Sequence, residues 1–225
     1  MRGHYSVSGR PERNAMIDLT KYDKLFYTPL IRFQTPEHET FSAALLTEGA
    51  RLREDDEGVS KSNKGGWHSK GNIFKSDAAP IKVLRAFARE AVIKATGKIA
   101  PKFDPDEFNL KLFGWMNANP PGGFNAPHTH PGAHWSGVYY VSQPEVEEGS
   151  SGKIEFLDPR SDLPNWRMFG AAAFRSKKQM RPAAGEMILF PSYLSHWVYP
   201  NDTEEERITV AFNATFSKKE SKSDI

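Results

Sequence analysis

Cysteine is missing from all 225 residues, which excludes disulfides, thiolate metal sites and a cysteine nucleophile. Any metal must therefore be held by nitrogen and oxygen. No apolar run approaches the ~18 residues that a bilayer-spanning helix needs. The opening stretch, MRGHYSVSGRPERNAM, also lacks the apolar segment of a secretory signal, so no membrane partner and a cytoplasmic location are expected. A surplus of one charge is absent as well. The 30 Lys and Arg against 28 Asp and Glu leave a formal net charge of +2, which gives no reason to expect DNA or RNA as a partner. Internal repeats and low-complexity tracts are also missing.

What is present is a mixture of 38% hydrophobic and 26% charged residues, enough to bury one core beneath a solvated surface. The length suits a single domain over residues 1–225, since domains commonly run to about 100–200 residues and β-barrels run somewhat longer. The polar ends, 1–20 and the lysine- and serine-rich 217–225, are expected to be flexible. Between them the pattern changes once. Residues 25–105 read as a helical support region. Phe41, Ala44 and Leu45 sit at helical spacing behind Glu37 and Glu39, and Glu48-Gly49 predicts an early stop. A second helix opens on Pro80, carries Ile81, Leu84, Phe87, Ala88, Ala91, Val92 and Ala95 on one face, and is expected to end at Gly97. From 110 to 216 the apolar residues fall instead into short runs at 110–117, 135–141, 154–157, 187–190 and 208–216, divided by Gly and Pro turns. That spacing predicts a β-sandwich or barrel core.

The chemistry concentrates in the barrel region. In Pro127-His128-Thr129-His130-Pro131 the two histidines are two apart, so an extended backbone aims both imidazoles to one side and Thr129 to the other. A facing strand following Met187–Phe190 and the Pro191-Ser192 turn would bring His196 as a third nitrogen, leaving an octahedral metal three open positions. The bland alternative for His128 and His130 is a polar rim of a β-protein. His134 lies near enough to compete as a ligand, whereas His4, His38 and His68 lack the spacing. Eleven positions beyond His196, Arg207 and Thr209 fall on one side of a strand, a guanidinium fork and a hydroxyl able to clamp one carboxylate. The alternative for Arg207 is a surface ion pair with Glu204-Glu205-Glu206.

Taken together, Gly185-Glu186-Met187-Ile188-Leu189-Phe190-Pro191-Ser192, His196-Trp197-Val198, Arg207-Ile208-Thr209 and Ala211-Phe212 resemble the second half of the 2-oxoglutarate- and Fe(II)-dependent oxygenase barrel. His128-Thr129-His130 and Ser136-Gly137-Val138-Tyr139-Tyr140-Val141 resemble its first half, in the manner of a little-characterised bacterial and phage subfamily. The likeness covers roughly residues 25–216. It implies a mainly β fold with N-terminal helices, a double-stranded β-helix or jelly roll (cupin-like barrel). It also implies Fe(II) on His128, His130 and His196, and 2-oxoglutarate as co-substrate on Arg207 with Thr209. Tyr140 matches a tyrosine that often bonds the 2-oxoglutarate tail, and Asn117 a position that often contacts it. The implied activity is hydroxylation of a small-molecule or peptide substrate with release of succinate and CO2. One position departs from the pattern: His130 stands where the superfamily carries Asp or Glu. Three histidines also resemble certain cupin dioxygenases that use no 2-oxoglutarate, and a non-catalytic metal- or ligand-binding jelly roll is a further alternative.

Other residues divide between pocket and framework. Trp115, Trp135 and Trp197 flank the proposed ligands but suit core positions better. The segment 62–69, with paired glycines and Trp67, reads either as a lid or as a tight turn. Asp158-Pro159-Arg160 reads as a strand-ending turn, with Arg160 an outside candidate for substrate binding.

Overall fold

The computed structural model describes residues 21, 23, 25–160 and 175–220. The expected flexible end at 1–20 and residues 221–225 lie outside them. Among the described residues the chain runs β1 (Ile31–Gln34), α1 (His38–Glu54), β2 (Asn63–Lys64), β3 (Trp67–His68), α2 (Ala79–Ile99), β4 (Phe108–Asn119), β5 (Phe124–His128) and β6 (Trp135–Ser142). It continues through β7 (Ile154–Leu157), β8 (Lys177–Met180), β9 (Glu186–Pro191), β10 (His196–Val198) and β11 (Arg207–Lys218).

The strands form two sheets, ordered β1-β9-β6-β11-β4-β3 and β2-β5-β10-β7-β8. Their pairings are antiparallel, and the long central pair runs in register from Arg207↔Asn119 to Lys218↔Phe108. This is the double-stranded β-helix that the sequence patterning and resemblance imply. Because strand side chains alternate, each strand of the larger sheet serves two compartments. Tyr139, Leu189, Val210 and Phe212 face outward to Leu45 of α1 and Ile81, Leu84, Ala88 and Val92 of α2. Tyr140, Ile188 and Phe190 face inward to Ile154, Phe156 and Val198 of the smaller sheet. Each fully buried aliphatic side chain contributes roughly 1.5–3 kcal/mol.

Four expectations need correction. The helix stop predicted at Gly49 does not occur, and α1 runs on to Glu54. Gly49 faces the sheet, where a Cβ would lie 2.6 Å from Met116 Sδ, so this glycine allows close packing and does not cap. The helix α2 likewise passes Gly97 and ends at Ile99. The 25–105 region also supplies β1, β2 and β3, pieces of two to four residues too short to show a period. Lastly, the flexible end expected from residue 217 starts too early: Ser217 and Lys218 pair with Asn109 and Phe108.

Candidate active site

The two sheets enclose a cavity, and the polar residues singled out by spacing converge on it. The register sets His196 of β10 opposite His128 at the end of β5, with an irregularity in the pairing just beyond. The backbone N–H of His130 donates to Ser192 O at 2.9 Å, which pins the segment after β5 to the turn before His196. One ligand-type atom from each of His128, His130 and His196 lies within 4.8 Å of the others, the only such metal-capable group among the described residues.

Two of the rings are oriented by the backbone. Nδ1–H of His128 donates to Ala126 O at 2.7 Å, and Nδ1–H of His196 to Leu194 O at 2.9 Å. A carbonyl only accepts, so both rings hold their proton on Nδ1 and keep the Nε2 lone pair for a cation. Burial also keeps the rings neutral. Desolvation, and then the neighbouring imidazoles, lower the pKa of His130 to about 3. The same effects bring His196 to about 4. Burial lowers His128 as well. Three neutral nitrogens on one side of a cavity form the face that a divalent transition metal needs, with its remaining positions open.

The other end of the cavity is built on Arg207, which is only 2% exposed. Its Nε–H donates to Gln143 Oε1 at 3.1 Å and an Nη1–H to Asn119 Oδ1 at 3.4 Å, while the guanidinium lies 5.1 Å from the centre of the Tyr140 ring. All of these partners are neutral, and burial pushes the Arg207 pKa down. The surface pairing considered for Arg207 is therefore ruled out. It is Arg53 that takes Glu206, at 2.8 Å. A buried cation without a carboxylate is costly unless an anion joins it. Thr209, 1% exposed, lines the same cavity. Nearby, the buried Tyr140 hydroxyl and Asn117 Oδ1 have no hydrogen-bond partner among the described residues. Of the five such atoms among the described residues, His38 Nδ1, Ser42 Oγ and Tyr139 OH lie on the helix side, while these two stand toward Arg207, as a missing polar ligand would explain.

Other candidates separate cleanly. His134 faces away, its Nδ1 accepting the Phe216 N–H at 3.2 Å, and is not in the ligand group. Trp135 is core and bonds Thr96 Oγ1, and Trp197 bonds Glu155. Trp115, by contrast, lines the cavity and packs 5.5 Å from His130. The 62–69 segment carries β2, paired to β5, and β3, paired to β4, so it straddles the two sheets as a strapped turn. Arg160 folds back on Asp158 at 2.6 Å, consistent with the turn reading. Sequence reasoning missed Gln143, Asn119, Ser62 and Asn125. None has a motif of its own: the pairing of distant strands brings Gln143 and Asn119 to Arg207, and Ser62 and Asn125 to the cavity.

The chain can now be compared with known proteins. No curated protein matches it. Among solved structures, a Pseudomonas putida prolyl-4-hydroxylase aligns with TM-score 0.58 and 16% identity over 85% of this chain and 93% of its own. HygX from Streptomyces hygroscopicus, solved with nickel, 2-oxoglutarate and hygromycin B, aligns with TM-score 0.57 and 12% identity over 84% of this chain and 83% of its own. A Trichoplax adhaerens prolyl hydroxylase in complex with a hypoxia inducible factor peptide fragment gives TM-score 0.57 and 10% identity over 83% of both chains. At such identities these likenesses establish the fold. The family model described as "Putative 2OG-Fe(II) oxygenase" matches residues 114–213, the stretch holding all three histidines, Arg207 and Thr209. Over that segment the chain is similar to the 2-oxoglutarate- and Fe(II)-dependent oxygenases, enzymes that use iron and 2-oxoglutarate.

Proposed function

We propose that His128, His130 and His196 hold the Fe(II), and that Arg207 with Thr209 grips the far carboxylate of 2-oxoglutarate. Tyr140 and Asn117 would satisfy its remaining oxygens, and the oxygenase would hydroxylate a small molecule or a peptide. The observation that carries this is Arg207: buried, charged, bonded only to neutral groups, and in one cavity with three neutral imidazoles. Iron bound with a 2-oxo acid supplies the oxidising chemistry, using dioxygen and releasing succinate and CO2.

The chain's own residues do the rest. Ala126 O and Leu194 O fix two rings with Nε2 forward, so the metal face is set before any ion arrives. Gln143 and Asn119 hold the guanidinium in place, which offers its remaining N–H groups as a fork to a carboxylate. Phe190 and Phe156 pack on His196 at 4.7 and 6.1 Å and keep water from that flank. Structural neighbours take both hygromycin B and a peptide fragment, which supports a small-molecule or peptide substrate. We read residues 1–225 as one oxygenase domain. The cysteine-free composition is compatible with the cytoplasm, where we place it. No helix among the described residues is long and apolar enough to cross a membrane.

Anaerobic titration of the Fe(II) protein with 2-oxoglutarate tests the assignment. A visible metal-to-ligand charge-transfer band should grow in, and Arg207→Ala should need far more 2-oxoglutarate to reach it. An oxygenase of the three-histidine cupin type that uses no 2-oxo acid would give neither band nor succinate.

A further inference from the structure

The cavity contains no negative charge of its own. None of its lining residues among those described is acidic, and imidazoles bind a metal in their neutral form. A divalent ion and Arg207 bring three positive charges, of which a dianionic co-substrate cancels two. A positive balance therefore remains for whatever binds next.

The mouth adds to that balance. Lys61 is exposed, forms no ion pair among the described residues, and directly precedes Ser62, which lines the cavity. Of the acids at 55–57, Asp55 pairs with Arg51 at 3.9 Å, Asp56 accepts the Gly58 and Lys70 N–H groups at 2.7 and 2.6 Å and pairs with Lys70 Nζ at 3.4 Å, and Glu57 is exposed and does not line the cavity. Just inside Lys61, the Ser62 hydroxyl and the Asn125 amide line the cavity without hydrogen-bonding any described residue. Beside them Trp115 presents a flat apolar wall. Two free donors, a cation and an aromatic face suit an oxyanion carried on a small apolar body.

We propose that the substrate is a small organic anion, drawn in by Lys61 and received by Ser62 and Asn125 against Trp115. This rests on the reading above that the Arg207 end belongs to 2-oxoglutarate.

The test is calorimetric titration of the full-length Mn(II)-loaded protein, saturated with 2-oxoglutarate, with benzoate, phenyl phosphate and the neutral benzamide. At least one anion should bind tenfold or more tightly than benzamide, and the stronger of the two says which oxyanion the site prefers. Lys61→Gln should remove most of that preference and Lys61→Glu should abolish it. Equal binding of benzamide, or anion binding in Lys61→Glu at the wild-type level, would overturn the proposal. The charge-transfer band separates the two readings. A band without anion preference sinks this inference alone, whereas anion preference without a band sinks the co-substrate assignment and this inference with it.

Discussion

The two faces of β11 are buried to the same extent and differ in nearly everything else. Val210, Phe212 and Ala214 are fully buried in the apolar cluster beneath the helices. One residue out of step, Arg207 and Thr209 are just as buried but face a cavity with an uncompensated charge and unpaired polar atoms nearby. A single strand thus carries packed apolar side chains on one side and, on the other, the groups proposed to bind. The outer face closes against α1 and α2, so the inner face is free to hold groups that are unfavourable until a ligand arrives.

Crossed substitutions give the largest test of that contrast. Leu189→Ala, on the helix side, should lower the denaturation free energy by about 2–5 kcal/mol. Its 2-oxoglutarate affinity per folded molecule should stay unchanged. Arg207→Ala should do the reverse, weakening 2-oxoglutarate by at least ~30-fold, in line with the roughly 2–5 kcal/mol lost when a buried charge loses its partner. Stability should hold or rise, because a buried unpaired cation has been removed. Denaturant midpoints and calorimetry on both variants decide it. If Arg207→Ala unfolds as readily as Leu189→Ala, Arg207 is framework and the contrast fails.

The polar atoms beside Arg207 offer a finer test. Tyr140→Phe removes a hydroxyl that has no partner, so the ligand-free protein should lose no stability, whereas deleting a satisfied buried hydroxyl costs about 1–3 kcal/mol. The same variant should bind 2-oxoglutarate roughly 5–10-fold more weakly, the size of one hydrogen bond. Weaker folding with undiminished affinity would show that the hydroxyl serves the core.

How much of this was legible in the sequence follows from the reach of each signal. His128 and His130 sit two apart, and so do Arg207 and Thr209, so local alternation alone put each pair on one side of the chain. The long apolar runs marked β4, β6, β9 and β11, and the stripe from Ile81 to Ala95 marked α2. What failed depended on contacts across the fold. Gly49 looks like a helix stop until Met116 is set against it. The four-residue β1 becomes a strand because β9 offers a free edge, pairing Ile31 with Leu189. Gln143, just after β6, and Asn119, the last residue of β4, hold Arg207 from positions that no periodicity connects. Trp115 reads as core from its size, and it is buried, but its ring also lies against His130.

The smallest effect expected concerns protons. Above about pH 6.5 the three imidazoles are neutral both folded and unfolded, so they add no pH dependence to stability. Below it the unfolded chain takes up protons while the folded rings, held down to about 3 for His130 and about 4 for His196, do not. Stability of the metal-free protein should therefore fall as pH drops through this window, by about 1 kcal/mol per strongly depressed ring between pH 6.5 and 5.5. Metal affinity should fall less steeply than for three ordinary imidazoles across the same interval, since protons reach His130 and His196 only at lower pH. Denaturation curves of the metal-free protein at pH 7.5, 6.5 and 5.5 supply the slope, and His196→Gln should flatten it. A slope unchanged by that substitution would mean that His196 is not held neutral by its burial, and the cavity face of the fold would lose its claim to be the costly one.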